Sequence, residues 1–210
     1  VFSMDGDLAP LPDIVRIADK YKAMVMVDEA HGTGVFGRNG RGVVEHFNLN
    51  NEIDIIMGTL SKAIGSLGGY VTGDNDLINY LRNKARSFMY TTALPPAVCA
   101  ASIAAINLIK GDPSIRESLW HNVRFINDNL KSLDFNVISS ESPIIPILIG
   151  DAQKAVDMSK SLYERGILIP AIRPPTVPVN SSRLRMTVMS THTKEDLEIL
   201  LEVLSEVQNL

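Results

Sequence analysis

The chain has 210 residues, 45% apolar and 21% charged, with 20 basic against 24 acidic side chains and a net charge of −4. A chain this apolar buries enough surface to offset its ordering entropy, which excludes intrinsic disorder. Its slight acidity gives no bulk attraction to a nucleic-acid backbone or an anionic membrane, so neither is expected as a partner.

The sequence opens on Val1, with no basic segment leading into an apolar one, and reads as a strand end entering a turn within a longer protein. Pro10 and Pro12 introduce a helix whose apolar side is Ile14, Ile17, Ala18 and Tyr21, and residues 23–27 read as a fully buried strand ending at Asp28. A glycine-rich loop follows, then a second buried strand at 53–57 and a polar loop, Gly58-Thr59-Leu60-Ser61-Lys62. Open α/β sheets bind ligands at the carboxyl ends of their strands, so two such loops on neighbouring strands converge on one crevice.

A short strand is expected at 68–73, a helix at 76–86, an extended piece at 88–92 and a long apolar helix from Pro95 to about Ile109. Gly111-Asp112-Pro113 breaks the chain. Beyond it Ile115, Leu119, Val123, Ile126 and Leu130 mark one face of a helix, followed by strands at 136–138 and 144–149 and a helix at 152–165. Strands at 167–169 and 184–189 and a closing helix started by Thr193 and Asp196 complete the chain. No apolar stretch reaches the roughly 20 residues of a membrane span. The pattern predicts an α/β domain over residues 1–110 and a smaller α+β domain over 111–210. Met24, Met26, Met186 and Met189 fall in strand-like segments and are expected in the core. The single cysteine, Cys99, lies in an apolar run, cannot close an internal disulfide, and is expected as a buried thiol in a reducing cytoplasm.

Three patterns compete for residues 28–37. Asp28-Glu29-Ala30-His31 matches a helicase tetrad, but the phosphate-cradling GxxxxGK[ST] loop that such an enzyme needs is absent from the 210 residues. Gly32, Gly34 and Gly37 match a dinucleotide fingerprint, yet Arg38-Asn39-Gly40-Arg41-Gly42 follows where a helix should begin. The third pattern joins Asp28 and His31 to Thr59, Ser61 and Lys62. A carboxylate at a buried strand end is costly without a cation, and pyridoxal 5'-phosphate (PLP) supplies one: Asp28 pairs with the pyridine nitrogen while Lys62 forms the Schiff base. His46, His121 and His192 show no ligand spacing and no Cys/His cluster exists, so no metal is expected. Arg183 and Arg185, two apart on a strand, face the same side, and spacing does not choose between them as a carboxylate clamp.

Val27-Asp28-Glu29-Ala30-His31-Gly32-Thr33-Gly34 and Gly58-Thr59-Leu60-Ser61-Lys62-Ala63, with Ser3-Met4-Asp5-Gly6 upstream, resemble the α-oxoamine synthases along the whole chain. These are fold-type I PLP enzymes that condense an amino acid with an acyl thioester and release CO2. The resemblance implies the C-terminal part of a large domain, built on a mostly parallel sheet with flanking helices, plus the small domain. The N-terminal part of the family's chain is missing, and without it an isolated piece is expected to bind PLP poorly. It further implies Lys62 as the Schiff-base lysine, Asp28 as the pyridinium partner, and Ser3 with His31 as donors to the phenolic oxygen. Thr59 contacts the phosphate, Thr91 reaches the phosphate of the partner subunit across a homodimer, and Arg185 clamps the substrate carboxylate. Residues 171–178 and 90–96 are most similar to family members that use alanine with a pimeloyl thioester; members using glycine with an acetyl thioester are the alternative.

Overall fold

The computed structural model describes residues 1–139 and 141–208. Ala9–Pro113, with Val1, form one unit; Phe2–Leu8 pack with the residues from Ser114 onward as a second. The first unit thus extends past the division expected at residue 110, and the opening turn belongs to the second.

In the first unit Pro10 precedes α1 (Leu11–Tyr21), where a fixed φ suits the first turn, and Lys22 ends it in the left-handed region at φ 52°. There follow β1 (Met26–Asp28), α2 (Val43–His46), β2 (Ile55–Thr59), β3 (Gly69–Thr72), α3 (Asn75–Lys84), α4 (Arg86–Met89) and α5 (Pro96–Gly111). The sheet has the order β1-β2-β3. It is mixed: β1 runs parallel to β2 with Asp28 opposite Met57, and β2 runs antiparallel to β3 with Thr59 opposite Gly69.

Several sequence expectations are corrected here. The first strand is not fully buried: Val25 and Val27 point inward, whereas Met24 and Met26 are exposed, because β1 is an edge strand whose residues alternate between two faces. On α1 the inward residue is Leu11, and Ile14, Ile17 and Tyr21 lie exposed. Residues 88–89 are helical rather than extended, since the Ala85 carbonyl accepts the N–H groups of Phe88 at 3.0 Å and Met89 at 2.9 Å. Cys99 is exposed. Its helix α5 is apolar on nearly every side, so composition does not select an inward one; the buried residue is Ser102, which donates to the Val98 carbonyl at 2.8 Å and meets Ser66 at 3.0 Å.

The second unit comprises α6 (Ser114–Ser132), β4 (Ile144–Gly150), α7 (Ala152–Glu164), β5 (Ala171–Ile172), β6 (Ser182–Thr187) and α8 (Lys194–Val207). Its antiparallel sheet has the order β4-β6-β5. Ile145, Ile147, Leu184 and Met186 from the strands join Val123, Ile126 and Leu130 of α6, Met158 and Leu162 of α7, and Leu197, Leu200 and Leu204 of α8 in one core. The helical 3.6-residue spacing of these side chains is what commits each helix to a single inward stripe. The strand expected at 136–138 reduces to one bridge, Val137 to Ile147. The strand expected at 167–169 does not form; β5 lies beyond Pro170, which has no N–H to give to a ladder. Met189 falls past the end of β6 and is exposed, unlike Met186.

Candidate functional site

The parallel pairing of β1 and β2 brings Asp28 to the same sheet end as the loop that carries Lys62. Asp28 is the last residue of β1, exposed, and its Oδ1 accepts the Ala30 N–H at 2.8 Å, which holds the carboxylate over the turn leading to His31. Beyond β2, residues 59–68 form a closed loop. The Leu60 N–H donates to Gly68 O at 2.9 Å, Ser66 N–H to Leu60 O at 2.7 Å, and Gly65 N–H to Lys62 O at 2.8 Å. Ile64 plugs the loop into the unit at 6% exposure, while the Lys62 side chain stays exposed. Thr59 Oγ1 lies 2.8 Å from Ser61 Oγ and 3.2 Å from the Gly68 carbonyl, so its hydroxyl is already part of the loop's own bonding. The set of an exposed carboxylate, an amine, an imidazole and two hydroxyls on adjacent loops fits the polar groups of a phosphorylated pyridine aldehyde.

Sequence reasoning passed over Glu29, which is wholly buried. Its Oε2 accepts the Val43 N–H at 2.9 Å and its Oε1 the Val44 N–H at 2.7 Å, tying the far end of the glycine-rich loop to the end of β1. Burial raises its pKa above the ordinary carboxylate value, and the two backbone donors from Val44 and Val43 work against that rise. The signal was present in the alternation of β1, which sends Asp28 outward and the next side chain inward. Across the sheet, Thr33 Oγ1 and the Tyr70 hydroxyl lie 2.7 Å apart, joining the same loop to β3.

The second unit holds two of the remaining three predicted residues, Ser3 and Arg185. Arg185 donates from Nε to the Ser3 carbonyl at 2.6 Å and from Nη1 to Thr187 Oγ1 at 3.2 Å, and burial lowers its pKa from the ordinary arginine value. Arg183, on the same face of β6, is buried: it forms an ion pair with Asp5 and donates to Met4 O at 3.3 Å and Ser181 O at 3.0 Å. Both arginines therefore grip the opening turn. Gly6, at φ 70°, lies against the Ile144 carbonyl where a Cβ has no room. A hollow of about 450 Å³ borders this turn, lined by Ser3, Met4, Asp5, Thr176, Val177 and Arg183. Asp28, His31, Thr59 and Lys62 are thus gathered in one unit and Ser3 with Arg185 in the other. Thr91 also belongs to the first unit and is exposed, after α4. Among the described residues no group of His, Cys, Asp and Glu could hold a metal ion.

Residues 1–204 match the aminotransferase class I and II family, and the chain belongs to it. Among curated relatives, the 8-amino-7-oxononanoate synthase of Thermoanaerobacter pseudethanolicus is 49% identical over 207 residues, which cover 99% of this chain and 52% of that protein. A solved structure of serine palmitoyltransferase with PLP superposes over 100% of this chain and 53% of its own, at 34% identity and a TM-score of 0.96. The 8-amino-7-oxononanoate synthase structure from Francisella tularensis gives 30% identity and a TM-score of 0.86, covering 98% of this chain and 60% of its own. The chain spans about half the length of the curated relatives it matches.

Proposed function

We propose that the whole protein to which this chain belongs is a PLP-dependent C-acyltransferase of the 8-amino-7-oxononanoate synthase kind, joining L-alanine to a pimeloyl thioester. The products are the amino ketone, the free thiol and CO2, and the step belongs to biotin synthesis in a cytoplasmic homodimer. The observation that carries the reading is the parallel register of β1 and β2, which puts Asp28 and the Lys62 loop at one end of the sheet. The relatives' printed names and the PLP held by the serine palmitoyltransferase structure support it.

When bound, PLP supplies an electron sink for charge developing at the substrate's α-carbon. In this reading the Lys62 amine would hold the cofactor and, when free, would take the α-proton of the substrate. The Asp28 carboxylate keeps a proton on the ring nitrogen, oriented by its bond to the Ala30 N–H. His31 and Ser3 donate to the phenolic oxygen, and Thr59 contacts the phosphate together with Thr91 of the partner copy. Arg185 presents a guanidinium fork to the substrate carboxylate, which fixes the amino acid's orientation.

The test is a substrate panel on the full-length protein, reading thiol release with alanine and pimeloyl-CoA against glycine and acetyl-CoA, alongside the visible absorbance of bound PLP. Faster release with the first pair, and loss of both absorbance and turnover in Lys62→Ala, are expected. Faster release with glycine and acetyl-CoA would replace the substrate assignment, and an unchanged spectrum in Lys62→Ala would remove the lysine's role.

A further inference from the structure

Glu29 stands between two residues of the proposed cofactor site and uses every one of its hydrogen-bonding groups to hold main chain. Its N–H donates to Met57 O at 2.8 Å, which carries the β1–β2 pairing one residue past Asp28. Its carbonyl accepts the N–H groups of Gly32 at 3.0 Å and Thr33 at 2.9 Å, which shapes the turn through His31. Its carboxylate accepts Val43 and Val44, 14 and 15 residues onward. Gly32 and Gly42 line this carboxylate so closely that a Cβ on either would run into it. Of the two, Gly42 also needs a positive φ, at 119°, whereas Gly32 does not, and at Gly32 the nearest obstacles to a side chain are the Glu29 carboxylate and the Val43 nitrogen.

We propose that Glu29 is a positioning residue: by accepting two backbone N–H groups it clamps residues 32–42 onto the end of β1 and so fixes where Asp28 and His31 stand. The consequence for catalysis rests on the function proposed above; the clamp is a property of the chain alone. An isosteric amide at this position keeps one acceptor oxygen but turns an NH2 donor towards the other backbone N–H, leaving two donors facing each other in a buried site. Adding a methyl at Gly32 displaces the carboxylate while keeping its charge, so both changes open the same clamp from different sides.

The experiment compares full-length wild type, Glu29→Gln, Gly32→Ala and the double variant, first without PLP and then with it. Without PLP, amide hydrogen exchange is expected to quicken about tenfold or more at Val43 and Val44 and also at Gly32 and Thr33 in both single variants. The double variant should be no faster than the worse single one, since both act through one contact. With PLP, kcat should fall by about 10²-fold while KM barely moves, the mark of misplaced reacting groups rather than of lost substrate binding. Quickened exchange confined to Val43 and Val44, unaltered exchange throughout, or additive effects would each overturn the clamp. If Glu29→Gln does not fold, Gly32→Ala, which keeps the carboxylate, carries the same comparison. A wild type with no PLP absorbance would remove the cofactor reading, and the exchange results would still decide the clamp.

Discussion

Replacing Arg183 with methionine keeps roughly the volume of the aliphatic stem and removes the guanidinium. The side chain is only 6% exposed, whereas its partner Asp5 is 47% exposed. Breaking a fully buried ion pair by removing one partner costs about 3–5 kcal/mol. Here the carboxylate left behind is half in water and recovers much of its hydration, and the Met4 and Ser181 carbonyls are the groups that lose a charged donor. Discounted for that screening, the loss in the second unit is about 2–3 kcal/mol. The assay is urea unfolding of the full-length protein, followed by a probe of the second unit, for wild type, Arg183→Met, Asp5→Asn and the double variant. The coupling between the two positions should be about 1 kcal/mol, because removing Asp5 leaves the two carbonyl acceptors in place. A loss below about 0.5 kcal/mol in Arg183→Met, or additivity within about 0.3 kcal/mol, would refute the view that this pair ties the opening turn to β6.

Leu184→Ala, at a wholly buried position at the centre of the second sheet, should destabilise that unit by about 2–5 kcal/mol, measured by the same unfolding curves. Asp28→Asn should retain PLP yet lower kcat by about a hundredfold or more, because a neutral amide no longer holds the charge opposite the ring nitrogen; an undiminished rate would defeat the role. Asp196 accepts the backbone N–H and hydroxyl of Thr193, and these hold its pKa below the ordinary 3.8. Its contribution to α8 is therefore complete above the unfolded-state value and disappears as pH falls through the lower folded one. The Tm gap between wild type and Asp196→Asn should be present at neutral pH and close in acid; a gap independent of pH would contradict the capping arrangement.

The local chemistry of the site was legible because short patterns dictate it. An aspartate at the end of an apolar run, and a Thr-x-Ser-Lys loop after the next run, need no tertiary information to be recognised as strand-end groups. Helices α6 and α8 were equally plain, the first from Val123, Ile126 and Leu130 at helical spacing and the second from the capping pair Thr193 and Asp196, and both meet one core. What the sequence did not disclose was which apolar residues are covered. Met24, Met26, Ile14 and Cys99 have the composition of interior residues, yet burial is decided by what packs over a surface, and among the described residues nothing does so there. The opening turn posed the same difficulty at long range. Its attachment to β6 depends on Arg183 and Arg185 reaching residues about 180 positions away, and no local pattern signals that. Glu29 was hidden for a different reason: the tetrad around it matches a helicase pattern that says nothing of this fold, whereas the side chain points inward and holds backbone.

The bond between Ser3 and Arg185 spans 182 positions, and this distance has a consequence for biogenesis. A ribosome releases the turn at Ser3 long before it makes β6, so this bond cannot form until nearly all the intervening chain has been synthesised. Contacts this remote in sequence form late and slowly. The docking of Phe2–Leu8 should therefore be among the last events in maturation, occurring only after the strand that receives it has left the exit tunnel.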